Sequence, residues 1–381
     1  MPHPRLFALR ERLASRLAML AAVALLSIPL LAGLVFWAGA FAALSIWNGM
    51  GAQWPLAAFC CAALAFSGGG YMTVRLLSVL FVPLSVPEGV RISQEDARDF
   101  YRLIEGMAWA LESDSIDYVW VTPDMNAAVL QRSRWGYLGR IETHLLIGLP
   151  LAHSVTCSQL VAVLAHEFAH LAVQRKGFGK HGALLRAWWL RALDKIGEVF
   201  PILGAQADRW LHGFYSNMAR LARIEEFEAD ALATRLVDAS LLGETLIEVS
   251  LKERFLMRDY WPRVLAQSKV RARPLIRPYR DLGLGMAVGF LRAARDDALV
   301  GDNSPQSLHP TTKERLSALR VLPQTSSEDL PSAATHYFAP LLLPLAWAFD
   351  RVWWQDVRSD WQLIYKDVRR GHKHNNKSQS E

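Results

Sequence analysis

Residues 17–46 carry no charged side chain. About 30 helical residues at about 1.5 Å each are ample for a hydrocarbon core of roughly 30 Å, even with tilt. Pro29 falls inside this run, which a membrane helix tolerates better than a soluble one. The uncharged link 47–54 has Trp47 and Trp54 at its ends, as at a membrane interface. A second apolar run covers residues 55–73, through Gly68, Gly69 and Gly70, and Arg75 ends the uncharged stretch. The pattern predicts a transmembrane helical hairpin. The competing reading is a cleaved signal peptide, helped by the small residues Ala38, Gly39 and Ala40. The run is about twice the usual apolar region of such a peptide and a second run follows it, so the hairpin is preferred.

Flanking charge sets the orientation. Arg5, Arg10, Arg12 and Arg16 precede the first run against Glu11 alone, and Arg75 follows the second. The positive-inside rule then places both ends, and everything after the hairpin, in the cytoplasm. Hydrophobic residues make up 52% of the chain and are concentrated before the end of the hairpin. The three cysteines, Cys60, Cys61 and Cys157, form no disulfide framework, which fits a reducing compartment and argues against thiolate zinc ligands. A net charge of +6 suits contact with anionic lipid headgroups. Nucleic acid is not an expected partner, because the basic residues form no aromatic-interleaved patch.

Beyond the hairpin, residues 93–112 read as an amphipathic helix and 117–121 as a short strand closed by Thr122 and Pro123. Residues 143–149 are also strand-like and end at Pro150. Helix candidates follow at 157–175, 183–198, 204–240, 243–267, 282–299 and 310–321, with links at 301–308 and 322–335. The fold class is therefore mainly α with a small β-sheet. The expected organisation is a cytoplasmic arm 1–16, a hairpin region 17–83, a catalytic domain 90–321, a C-terminal region 322–369 and a disordered polar tail 370–381. Within that C-terminal region the tryptophan-rich segment 337–354 fits an interfacial helix or a core helix equally.

The chemistry-bearing segment is LVAVLAHEFAHL, an HExxH sequence in a strongly helical pattern. Thr156 and Gln159 have capping-box spacing at its start, and Arg175, Lys176 and Gly177 supply a stop. Four residues apart on a helix, His166 and His170 share a face and can bind one ion. Glu167 lies about 100° round the helix, near the metal but not on it, where its carboxylate can take a proton from water activated there. A catalytic zinc takes a third protein ligand. The downstream EEFEADALA segment offers Glu225, Glu226 and Glu228, and only Glu226 has a carboxylate four residues later, Asp230. That register makes Glu226 the ligand and Asp230 the partner of a ligand imidazole, His166 in preference to His170.

With these pieces in order, the sequence resembles the HtpX-like and CAAX-prenyl-protease-like membrane metallopeptidases, which are gluzincins. LVAVLAHEFAHL is similar to that family's first metal helix and EEFEADALA to its glutamate helix. LHPTTKERLSAL resembles a segment whose carry-over makes His309 an oxyanion stabiliser and Arg315 a support for the substrate or the active-site glutamates. PDMNAAVL resembles the family's Asn-Ala element, here Asn126 and Ala127, which would bind substrate, and THLLIGLPL its strand before the metal helix. The resemblance covers roughly residues 90–320. It implies a zincin-like peptidase domain with one zinc ion, polypeptide substrates and a role in membrane-protein quality control. With the charge asymmetry it implies an integral protein of a bacterial inner membrane, its catalytic domain facing the cytoplasm. The many-helix chamber of prenyl proteases has no counterpart here.

The expected reaction is peptide-bond hydrolysis, with an extended substrate adding along an edge formed by 143–149. The alternatives are a membrane chaperone or scaffold that keeps the zinc site without cleaving, and a zinc hydrolase acting on another bond. Every residue the chemistry needs is present, which favours the peptidase. The sequence leaves oligomeric state open.

Overall fold

A computed structural model describes residues 4–81, 87–135, 138–174, 179–275, 277–289, 309–322 and 331–378. Helices α1 (Pro4–Met50) and α2 (Pro55–Ser78) form a hairpin. Glycine lets their backbones touch: a Cβ on Gly39 would meet Gly69 Cα at 2.9 Å. Thr73 Oγ1 donates to Ala32 O at 3.2 Å and Phe36 packs edge-on against Phe66. Both helices are long and apolar enough to cross a membrane.

The uncharged run is shared between two environments. Leu17, Ala18, Ala21, Leu25, Ile28 and Ala32 of α1 are buried at helical spacing. Leu17 and Ala21 pack with Leu193, Phe214 and Leu221, and Leu25 and Ile28 with Val79, Ala192 and Val199. These partners belong to α6 (Gly179–Val199) and α7 (Gly204–Ala233), apart from Val79 just beyond α2. The opposite face of that stretch, with Met19, Leu20, Val23 and Leu26, is exposed. From Leu30 onward α1 and α2 expose large apolar side chains, among them Leu30, Trp37, Phe41, Leu56, Phe59 and Leu64.

After the hairpin, β1 (Val90–Ile92), β2 (Tyr118–Thr122), β3 (Ala127–Trp135) and β4 (Leu138–Gly148) form one sheet in the order β1-β2-β4-β3. Only the β2–β4 pair is parallel. This corrects the expectation for residues 143–149. Residues 143–148 lie inside the sheet, with Leu145 paired to Val119 on one side and Val129 on the other, and Leu149 already opens α4 (Leu149–Ser154). A strand hydrogen-bonded on both sides offers no edge to a substrate; among the described residues the open sides belong to β1, to β3 and to residues 138–142 of β4, which lie beyond β2.

One sheet face, with Val119, Val121, Leu145 and Ile147, forms the main core with α3 (Arg98–Ala110), α5 (Cys157–Gln174) and part of α13 (Leu342–Ser378). Phe100 and Ile104 come from α3, Leu160, Leu164 and Phe168 from α5, and Leu345 and Phe349 from α13. The tryptophan-rich segment thus has a core face, while Leu343, Trp347 and Val352 are exposed. Helix α13 continues to Ser378, where the sequence reading expects a disordered tail.

The helix expected at 243–267 is interrupted: α8 (Ala239–Phe255) passes through a π-helical turn, Leu256–Tyr260, into α9 (Trp261–Ala266). Next come α10 (Pro278–Gly289), α11 (Thr312–Leu319) and α12 (Ala333–Tyr337). The helix stop at 175–177, residues 290–299 of the 282–299 candidate, the link 301–308 and residues 323–330 of the 322–335 link lie outside the described residues.

Candidate metal centre

Helix α5 begins with a capping box: Thr156 N donates to Gln159 Oε1 at 3.0 Å and Gln159 N to Thr156 Oγ1 at 3.2 Å. Its apolar face is fixed by the core, which turns the histidine face toward α7. His166 Nε2 and His170 Nε2 stand 3.1 Å apart, their rings nearly perpendicular at 85°. Helix α7 brings Glu226 to them, with Oε2 3.4 Å from His166 Nε2 and Oε1 3.3 Å from His170 Nε2.

This donor set fits a zinc ion. Ligand bonds of about 2.0–2.2 Å in a tetrahedron put neighbouring donors about 3.4 Å apart, close to the separations found. Two imidazole nitrogens facing each other over a buried carboxylate also leave needs that protons meet poorly. Glu226 Oε2 is buried, 3.4 Å from both His166 Nε2 and Arg315 Nη1. Burial and Arg315 push the His166 imidazole down, yet hydrogen bonds to Asp230 and Glu226 outweigh them and hold it up at about 9. Burial likewise opposes charge on Glu226, but hydrogen bonds with His166, His170 and His309 keep its carboxyl well below the usual carboxylate range. The pocket is built for positive charge.

Around the three donors lies a shell of partners. Asp230 Oδ1 is 3.0 Å from His166 Nδ1. Arg315 Nε and Nη2 donate to the two Asp230 oxygens at 2.8 and 2.6 Å, and its Nη1 lies 3.4 Å from Glu226 Oε2. His309 Nδ1 is 2.8 Å from Glu226 Oε1, although its side chain is 71% exposed. The segment carrying His309 and Arg315 is fixed by a second capping box, Thr311 with Glu314. Arg223 of α7 holds it from below, donating to both Glu314 oxygens at 2.9 and 3.0 Å and to His309 O at 3.3 Å.

Glu167 follows His166 on α5 and is half-buried. Asn126 and Ala127 stand at the start of β3, where Asn126 O accepts from Gly148 N at 2.7 Å and Ala127 pairs with Ile147. The structure thus gathers His166, His170, Glu226, Asp230, His309 and Arg315 into one cluster, with Glu167 beside it and Asn126–Ala127 on the sheet.

Sequence reasoning did not find Arg10. Its side chain is buried, with Nε 2.9 Å from Glu228 Oε2 and Nη1 donating to Val173 O at 2.9 Å. The N-terminal helix therefore touches both helices that carry the His-His-Glu group. Beside it, Arg186 donates to Ala14 O at 3.3 Å and faces Glu225 Oε1 at 4.0 Å. A signal was available: three glutamates within four positions of one helix cannot share a face, so the two off the metal need partners of their own.

A helix-borne HExxH completed by a glutamate from a second helix defines a metallopeptidase site. Residues 148–322 match the model of peptidase family M48, and this part of the chain is an M48 peptidase domain. Peptidases of this family are zinc metallopeptidases. No curated protein and no solved structure matches the chain.

Proposed function

We propose that the protein is a membrane-anchored, zinc-dependent endopeptidase that cuts polypeptides on the cytoplasmic side of a bacterial inner membrane, in membrane-protein quality control. The observation that carries the reading is the mutual 3.1–3.4 Å spacing of the donors on His166, His170 and Glu226. When bound, zinc supplies Lewis-acid polarisation of the scissile carbonyl and acidifies the attacking water. Asp230 accepts the Nδ1 proton of His166, which fixes the tautomer that leaves Nε2 able to ligate. Arg315 balances the charge of Asp230 and Glu226. Glu167 accepts a proton from the attacking water as the C–O bond forms, then delivers it to the amine nitrogen as the C–N bond breaks. His309, oriented through Glu226, donates to the developing oxyanion.

An extended substrate adds to a sheet edge by main-chain hydrogen bonds. With residues 144–148 of β4 enclosed, that edge is β3, the strand nearest α5, and Asn126 and Ala127 at its start contact the substrate. The test of the site is metal content. Purified wild type holds about one zinc per chain, Glu226→Ala loses most of it, and Glu225→Ala retains it. Zinc retained by Glu226→Ala and lost by Glu225→Ala would overturn the ligand assignment.

A further inference from the structure

Two helices measure how far the metal centre stands from the membrane. The pairing of Gly39 with Gly69 and of Ala32 with Thr73 puts Arg75, the charge that ends the apolar run of α2, level with about residue 30 of α1. Arg75 Nη2 donates to Val199 O at 2.7 Å and Trp188 Nε1 to Leu80 O at 3.0 Å, so the turn between α6 and α7 lies at the same level. Asp194, Glu198 and Asp208, close to that turn, are exposed, and exposed carboxylates do not enter hydrocarbon. Beyond this level α1 has about 20 residues left to Met50 and α2 about 20 back to Pro55, each about 30 Å of helix and equal to the hydrocarbon thickness. Ile202 at the turn, 97% exposed, and Trp210, 55% exposed, suit the headgroup layer.

From this level the same helices run back to the site. On α1, about 20 residues separate residue 30 from Arg10, which is bonded to Glu228: about 30 Å. On α7, about 22 residues separate Gly204 from Glu226: about 33 Å. A tilt of about 20–30° leaves roughly 25–30 Å.

We infer that α1 and α7 act as spacers that fix the metal centre roughly 25–30 Å off the membrane surface, so that a membrane-bound substrate is cut only beyond about eight extended residues from the bilayer. The inference rests on the proposed peptidase activity and membrane anchoring. It assigns as substrates the unfolded extramembrane segments of membrane proteins, and it excludes a bond a few residues from a lipid-modified terminus.

The experiment uses the full chain in liposomes and an unfolded tandem-repeat peptide whose repeats are chemically identical. One form is coupled at its end to a bilayer lipid, and the other carries a soluble polyethylene glycol at the same position. Mass spectrometry maps the cuts. The soluble form is cut in every repeat, whereas the tethered form shows at least about tenfold fewer cuts within about eight residues of the lipid and normal cutting beyond. Equal cutting in every repeat of the tethered form would overturn the spacing, and would mean that the bilayer reaches down the exposed Met19–Leu26 face of α1. A soluble form left uncut would overturn the peptidase reading itself, and the inference with it.

Discussion

Glu226 and Glu228 are two residues apart on α7 and so point about 200° apart. Glu226 meets the histidines of α5, while Glu228 meets Arg10 of α1 in a pair whose side chains are 2% and 7% exposed. Breaking such a buried pair leaves one charge unmatched, at about 3–5 kcal/mol, whereas replacing both partners with apolar residues is close to neutral. Arg10→Met is therefore expected to lower unfolding stability by that amount, and Arg10→Met with Glu228→Met to recover most of it in denaturant melts. Additive losses would show that the two do not act as a pair. His153 gives a pH dependence. Burial pushes its imidazole down to about 4, and its ring lies against Gly283. The folded state thus binds this proton less readily than the unfolded state, so the stability it contributes is full above about pH 6.5 and is lost as pH falls toward about 4. His153→Leu should lessen the loss of stability between pH 7 and pH 5 by about 2 kcal/mol relative to wild type, read from paired denaturant melts. The spacing of His166, Glu167 and His170 and the four-residue step from Glu226 to Asp230 were legible because helix geometry ties offset to face. Arg10 was not, because its partner Val173 is 163 positions away and no local pattern encodes that meeting.

The start and the buried face of helix α5 were legible, since its capping box and apolar periodicity agree. Strands β2 and β4 announced themselves by apolar runs, but β3 did not. Its sequence AAVLQRSRW changes from apolar to charged half-way and shows no clean alternation, because it lies at the sheet edge with one side open. The missed strand is what encloses residues 144–148, so that they offer no edge of the kind expected at 143–149. The element that carries His309 and Arg315 depends on its cap. Thr311 accepts from Glu314 N at 3.2 Å and Glu314 Oε2 accepts from Thr311 N at 2.8 Å. Thr311→Ala should cost about 1 kcal/mol of stability and lower cleavage more than zinc content, because α11 positions Arg315 beside the His-His-Glu group but supplies none of the three proposed ligands. Unchanged cleavage at wild-type zinc content would show that α11 is positioned by other contacts.

At the scale of the molecule, the uncharged run was legible as unusual but not as divided. Composition cannot distinguish an apolar face that meets lipid from one that meets α6 and α7, and residues 17–28 do the second along their buried side. The hairpin and the peptidase domain consequently share α1, which runs as one continuous helix from the apolar hairpin to the helices that carry the His-His-Glu group. The central claim is that this assembly is an enzyme whose base is distinct from its metal ligands. The most direct measurement compares the full chain with Glu167→Gln for zinc per chain and for cleavage of an unfolded polypeptide. The account predicts equal zinc and cleavage lowered by about 10²–10⁴-fold, since an amide cannot accept the proton of the attacking water. Wild-type cleavage by zinc-loaded Glu167→Gln would contradict it.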